Sequence, residues 1–181
     1  MDLKTLEHAL TIWSIRIAVV CLFTYLIFQP RPFAPRHISR PLIWVWNIGA
    51  LLSLLHLLFA MGFVHQWSHQ LAWEDTAQQT DEFMGVRVGA GIYFNYLFVG
   101  IWVFDAIWQW GWTASYHRRY RWAGRLIIGY LLFIAFNGAV VFESGLIRWV
   151  TLILLAVWIA KMIWVWPLDS TAPAKEPQRE D

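Results

Sequence analysis

Five long apolar runs constrain the fold of this chain more than any other feature of its sequence. An α-helix needs about 20 largely apolar residues to cross the hydrocarbon core of a bilayer. The runs that approach or exceed this length are residues 10–28, 41–64, 91–112, 125–142 and 146–166. Because lipid offers no hydrogen bonds to a free backbone, each run predicts a transmembrane helix.

The composition favours an all-α integral membrane protein. Of the 181 residues, 59% are hydrophobic and only 14% are charged, so a soluble domain would have to hide more apolar surface than its size allows. We expect residues 1–166 to form one bundle of five helices and residues 167–181, with their prolines and mixed charge, to form a disordered tail.

The single cysteine excludes an intramolecular disulfide and a thiolate zinc site. No run of like charges is long enough for a nucleic-acid arm, so no nucleic-acid partner is expected.

Basic residues are distributed unequally between the two ends of the predicted spans. Ten of them share one side, namely Arg31, Arg36, Arg40, Arg118, Arg119, Arg121, Arg125, Lys161, Lys175 and Arg179. The other four are Lys4, Arg16, Arg87 and Arg148. Because basic loops are retained in the cytoplasm, the N-terminus and the loop of residues 65–90 should face out and the C-terminus should be cytoplasmic. The expected location is a bacterial-type inner (plasma) membrane.

The outer loop carries helix and turn signals. Residues 65–82 contain neither proline nor glycine, which predicts a helix that continues the second span or lies on the membrane surface. Gly85, Gly89 and Gly91 then predict a break and a tight turn into the third span.

Three histidines suggest a metal or haem site near the outer face. His65 and His69 are four residues apart, which on a helix brings both rings to one face at a spacing suited to one metal. His56 lies within the second span, where an ionisable side chain is by default a functional candidate. Its alternative role is a neutral imidazole that ties two helices together by one hydrogen bond. A straight helix would point His56 and His65 to opposite faces, so a shared site requires a kink at Gly62 or a break near His65.

The 12 residues between His56 and His69 also give a spacing that resembles one ligand pair of the copper membrane monooxygenases. The motif of that family adds an aspartate four residues before the first histidine, and Leu52 stands at that position here. The resemblance covers about 14 residues of one helix and implies a copper-ligand pair without the family's carboxylate. It does not extend to the whole chain.

Other polar residues fall into an outer and an inner layer of the predicted bundle. The outer layer comprises Arg16, His56, Asn95, Tyr96, Asn137 and Glu143. Arg16 requires a partner, and Glu143 is the nearest carboxylate by depth, although Glu143 could instead bind a metal with the histidines. In the inner layer Asp105 and Lys161 lie at the same depth and predict an ion pair, or a proton-accepting pair in a water-filled pocket.

The third span has a polar and aromatic face as well. Asn95, Phe98, Trp102, Asp105 and Gln109 recur at helical spacing, and this stripe should face the bundle interior.

Three functional hypotheses follow from these patterns. The first is a metal or haem site for redox or metal-dependent chemistry, with His56, His65, His69 and Glu143 as candidate ligands of Cu, Fe, Zn or Mn. The second is a non-catalytic accessory or assembly subunit that packs on a larger membrane complex or forms a homo-oligomer. The third is a small proton-coupled transporter or channel that uses the stripe around Asp105.

Overall fold

The computed structural model describes residues 2–29, 39–141 and 145–170, which form helices and turns and contain no strand. The α-helices are α1 (Leu3–Phe28), α2 (Arg40–Phe59), α3 (His69–Met84), α4 (Gly91–Gly111), α5 (Thr113–Arg118), α6 (Arg121–Phe136) and α7 (Leu146–Ser170). Two π-helical segments extend α2 and α6, at Ala60–Val64 and Asn137–Val141.

Five of these helices are long and apolar enough to cross a membrane, as the sequence predicts. They occupy Leu3–Phe28, Arg40–Val64, Gly91–Gly111, Arg121–Val140 and Leu146–Trp164. The all-helical prediction is therefore confirmed for the described residues. Helices α1 and α7 extend beyond the apolar runs, to Leu3 and Ser170. Outside the apolar region, polar residues at a helix end can continue the backbone hydrogen bonds of the helix, so the ends of a helix and of an apolar run need not coincide. Helix α7 continues to Ser170, so the first residues of the predicted tail are helical, and residues 171–181 lie outside the described part of the chain.

The core lies where α1, α2 and α4 meet, and its largest buried side chains are aromatic. Trp46 and Trp102 are buried with ring centroids 5.4 Å apart, and Tyr25 packs on Trp46 at 4.4 Å. Gly49 permits this packing, because a Cβ atom at that position would lie 2.5 Å from Cζ2 of Trp102. The close aromatic packing of α4 on α2 thus depends on one residue without a side chain.

The segment between the second and third spans breaks at its first histidine. The π-helical segment ends at Val64, and Gln66 and Trp67 then adopt positive φ angles of 49° and 60°. Helix α3 begins as a separate element, with the Ser68 hydroxyl accepting a hydrogen bond from the Leu71 amide at 3.3 Å. Of the two alternatives that the sequence left open for this segment, a continuation of span 2 is wrong, and the predicted helix is present as the separate α3. The predicted glycine break is confirmed, because α3 ends at Gly85 in the left-handed conformation, φ 70°.

Helix α3 packs against the start of α4 through Trp73. A Cβ atom on Gly89 would lie 2.4 Å from Nε1 of Trp73, so the indole rests directly on that glycine. Packing against α4 places α3 beside the ends of α1, α2 and α4, which we call the histidine end of the bundle. The opposite end, where α2 and α6 begin and α4 finishes, carries Arg40, Arg118, Arg119 and Arg121, and we call it the arginine end.

Candidate functional site

His56 lies in α2 and connects it to α1. Its Nδ1 is 2.8 Å from the backbone oxygen of Thr11, and because a carbonyl oxygen only accepts, Nδ1 must carry the proton. The structure thus shows the interhelical hydrogen bond that was the alternative reading of this residue. In a neutral ring the same bond leaves Nε2 as the nitrogen with a lone pair.

His69 makes a different set of contacts, at the first turn of α3. Its Nδ1 is 3.1 Å from the Tyr96 hydroxyl and its Nε2 is 3.4 Å from the Tyr93 hydroxyl. Tyr96 donates its own proton to Sδ of Met61 at 3.7 Å, so it accepts from Nδ1, and Nε2 is left to accept from Tyr93. Both ring nitrogens of His69 are therefore engaged by neighbouring side chains.

The predicted shared face of His65 and His69 does not form. The helix breaks between them, so His65 stays with the end of the second span while His69 turns toward α4. Among the residues that the structure describes, no three His, Cys, Asp or Glu side chains lie close enough to hold a metal ion. Glu143, the fourth predicted ligand, lies outside the described residues, and so does its predicted pairing with Arg16.

A cavity of about 550 Å³ brings several of the predicted residues together at the histidine end. Residues from α1, α2, α3, α4, α6 and α7 form its walls. Most of the lining is apolar, with isolated polar groups, the usual composition of a small-molecule site. The polar side chains that line it are Thr11, Arg16, His56, His65, Asp75, Thr76, Gln79, Asn95 and Thr151.

Position along the spans predicted Arg16, His56 and Asn95 at one depth, and in the structure all three line the same cavity, from α1, α2 and α4. The Arg16 guanidinium also lies 5.5 Å from the ring centroid of Trp13. Asn137 has a local role instead, since its amide donates to the Phe133 carbonyl of its own helix at 2.7 Å. Tyr96 bonds to His69 and Met61 and does not line the cavity.

Both π-helical segments border this cavity. Ala60, Met61 and Val64 line it from the segment that follows α2, and Gly138 and Ala139 line it from the segment that follows α6. A π-helical turn is rare and occurs frequently at functional sites. Two such turns around one cavity mark this cavity as the leading candidate site.

Asp75 is the acidic member of the lining that sequence reasoning missed. It lies on α3, where Gln79 donates to its Oδ2 at 3.0 Å. Asp75 reaches the cavity because α3 folds back over the end of the bundle. In the sequence, the polar residues around Asp75 have the pattern of an ordinary solvent-exposed helix face, which is why the sequence did not single it out.

At the arginine end Asp105 pairs with Arg119 and not with Lys161, which corrects the predicted ion pair. The Arg119 guanidinium donates to Oδ1 of Asp105 at 2.5 Å, and the Tyr116 hydroxyl donates to Oδ2 at 3.1 Å. The Asp105 side chain is 1% exposed. Burial and the neighbouring Tyr25 and Asp105 raise the pKa of Tyr116 well above its ordinary value, so its phenol keeps the proton that it donates.

The pairing differs because α5, a short helix that the hydropathy pattern does not predict, folds Tyr116 and Arg119 back under α4. Lys161 lies elsewhere and donates to the backbone carbonyls of Leu26, Ile27 and Gln29, the first two at 3.3 and 2.7 Å. These carbonyls have no partner within α1, so Lys161 caps the C-terminal end of that helix.

The predicted inward stripe of α4 is confirmed for four of its five residues. Phe98, Trp102, Asp105 and Gln109 are buried, whereas Asn95 is exposed and lines the cavity.

Comparisons of the chain with protein-family models, with curated proteins and with solved structures find no match in any of the three.

Proposed function

We propose that this chain is an integral protein of a bacterial-type plasma membrane, with its N-terminus outside, that binds an amphipathic small molecule in the cavity at its histidine end. Five helices of sufficient length and apolarity support the membrane assignment. The observation that carries the binding role is the cavity of about 550 Å³, within the range of small-molecule sites.

The polar lining indicates the chemistry of the ligand. His56 donates from Nδ1 to Thr11, so Nε2 of a neutral ring can accept a hydrogen bond from a hydroxyl group. Asn95 adds an amide that can both donate and accept. The walls contributed by α6 and α7, including Ile134, Ala135 and Leu154, suit an apolar body. These groups together fit a molecule with a hydroxyl-bearing head and an apolar tail, such as a quinol or a long-chain alcohol.

The test is to identify what co-purifies with the protein. Wild type would be purified in mild detergent, extracted with organic solvent and analysed by mass spectrometry beside His56→Ala and Ala139→Leu. Ala139 lines the cavity, and the larger side chain would fill part of it. The control is His8→Ala, because His8 is exposed and does not line the cavity.

We expect an amphipathic compound at close to one per chain in wild type and in His8→Ala. It should be strongly reduced in Ala139→Leu and in His56→Ala, with the helical content of each variant checked by circular dichroism. Equal retention in all four proteins would place the compound on the outer surface and contradict the proposal, as would its absence from all four.

A haem or metal ligated by His56 is the second candidate, and one specific contact favours it. Metal-ligating histidines usually donate their other ring N–H to a carbonyl or carboxylate, the arrangement that His56 makes with Thr11. Haem needs only one or two axial side chains, whereas a bare ion needs more ligands than the described residues bring together.

Visible absorption spectra and element analysis of the same preparations test this candidate. A haem on His56 predicts an intense Soret band and stoichiometric iron in wild type and in His69→Ala, with both lost in His56→Ala. The His69 variant should keep its iron because both nitrogens of that ring are already engaged by tyrosines. Wild type grown with iron and haem precursors that shows neither band nor metal would rule this candidate out. The accessory-subunit and transporter hypotheses stay predictions.

A further inference from the structure

A second, smaller pocket lies at the arginine end, far along the bundle from the histidine end. It has a volume of about 190 Å³ and lies between the start of α2, the end of α4 and α5. The residues that line it are Arg40, Ile43, Trp44, Asn47, Gln109, Trp110, Thr113 and His117. The cavity of the proposed function shares none of them.

Gln109 makes this pocket unusual. Its side chain is 4% exposed, and neither its amide nitrogen nor its amide oxygen makes a hydrogen bond of acceptable geometry among the described residues. The Tyr25 hydroxyl is its polar neighbour within the bundle, without the geometry of a formed bond. Nδ1 of His117 is likewise buried and unpartnered within that part of the chain. A buried amide that is left unsatisfied destabilises the folded state, so such groups usually have a partner that completes them. A pocket of 190 Å³ is several times the volume of about 30 Å³ that one water occupies in the liquid, so it holds more than a single bridging water.

The charge of the pocket favours an anion. Among the described residues that line it, Arg40 alone carries a full charge, and it stands at the N-terminus of α2, where the helix dipole is positive. The buried carboxylate of Asp105 does not line the pocket and is paired with Arg119. The neutral partners add both donors and acceptors, because Asn47 donates to the Ile43 carbonyl at 2.7 Å and keeps its side-chain oxygen to accept.

Two tryptophans flank the pocket and relate it to the membrane surface. Trp44 and Trp110 meet edge to face at 5.2 Å and are 55% and 65% exposed. Indole rings of this kind favour the headgroup zone of a bilayer, where their apolar faces contact the upper acyl chains. A molecule that enters beside this pair would lay its apolar part along the exposed indole faces and its polar head toward Gln109.

We propose that this pocket binds the headgroup of an anionic phospholipid that carries hydroxyl groups, of the phosphatidylglycerol class. Arg40 and the Gln109 amide nitrogen donate to the phosphate, and the amide oxygens of Gln109 and Asn47 accept from the headgroup hydroxyls. Free phosphate offers the same anion without hydroxyls or acyl chains, so the test includes it as a separate arm.

The experiment measures thermal unfolding of the full chain in neutral detergent, with phosphatidylglycerol, phosphatidylcholine or inorganic phosphate added. The variants are Gln109→Leu, which removes the buried amide at similar size, and Arg40→Gln at an exposed position. The control is Arg121→Gln, an exposed arginine at the same end that does not line the pocket.

Phosphatidylglycerol should raise the Tm of wild type and of Arg121→Gln by several degrees, and phosphatidylcholine should not. Gln109→Leu and Arg40→Gln should lose this shift. Without lipid, Gln109→Leu should be at least as stable as wild type, because it no longer buries an unsatisfied amide.

Three results would overturn the proposal. An equal phosphatidylglycerol shift in all variants would mean general attraction to basic residues. A full shift with inorganic phosphate alone would mean an anion site and not a lipid site. A lower lipid-free Tm for Gln109→Leu would mean that Gln109 has an internal partner. If Gln109→Leu does not fold, Arg40→Gln against Arg121→Gln still decides the outcome.

Discussion

Asp105 carries a carboxylate that is almost completely buried in the bundle, and two side chains from the segment after α4 satisfy it: Tyr116 of α5 and Arg119, the residue that follows α5. Arg119 neutralises it, and Tyr116 occupies its second oxygen. The Arg119 guanidinium also stacks on the Tyr116 ring, with 3.9 Å between the guanidinium carbon and the ring centroid. Three polar groups thus satisfy one another where hydrocarbon would satisfy none.

Asp105→Asn should therefore lower the free energy of unfolding by about 3–5 kcal/mol, because it leaves the Arg119 charge buried without its counter-ion. Arg119→Gln should have a similar cost, and the double variant should cost less than the sum of the two. Unfolding in detergent with increasing denaturant would measure all three. Arg118→Gln is the control, since Arg118 is exposed and bonds only to the Ala114 carbonyl. Additive losses in the double variant would contradict the pairing.

At the scale of elements, α3 decides what the histidine end can do. It covers the cavity from one side, contributes Asp75 and Gln79 to the lining, and holds His69 against Tyr93 and Tyr96. Its position depends on the break at residues 65–68 and on the contact between Trp73 and Gly89.

Gly89→Ala should loosen this helix, because the new Cβ would lie 2.4 Å from Nε1 of Trp73 and force the indole away. We expect amide hydrogens of residues 69–84 to exchange at least tenfold faster than in wild type, while those of α1 and α2 stay unchanged. The control is Gly85→Asn, where nothing lies within 4 Å of an added Cβ and asparagine tolerates the positive φ. Wild-type protection of α3 in Gly89→Ala would show that Trp73 is not what holds it.

At the scale of the whole molecule, an odd number of spans would separate the two termini across a membrane, and the basic end would face the cytoplasm. The structure collects Arg40, Arg118, Arg119 and Arg121 at one end and α3 at the other, consistent with that asymmetry.

Labelling with a membrane-impermeant maleimide on intact cells checks the orientation. In a Cys21→Ala background, Gln78→Cys on exposed α3 should react at once, whereas Arg118→Cys should react only after the membrane is permeabilised. The background protein without added cysteine serves as the control. The reverse labelling pattern would contradict the predicted orientation.

Hydropathy and turn chemistry are local properties of the chain. For that reason the sequence by itself determined the five apolar helices, the end of α3 at Gly85, and the inward face of α4 that carries Trp102 and Asp105. Each of these follows from residues within one or two helical turns. It also predicted one depth for Arg16, His56 and Asn95, because depth follows from position along a span, and these three residues do line one cavity.

Only the tertiary structure decided which polar groups meet. Rise per residue predicts similar depths for Asp105 and Lys161, yet Arg119 reaches Asp105 because the chain folds back through α5, and Lys161 reaches the end of α1 because α7 packs against that helix. His65 and His69 have helical spacing, yet the positive φ angles of Gln66 and Trp67 separate them. Depth and spacing fix one coordinate of a side chain, and the order of helices and the path of short connections fix the other two.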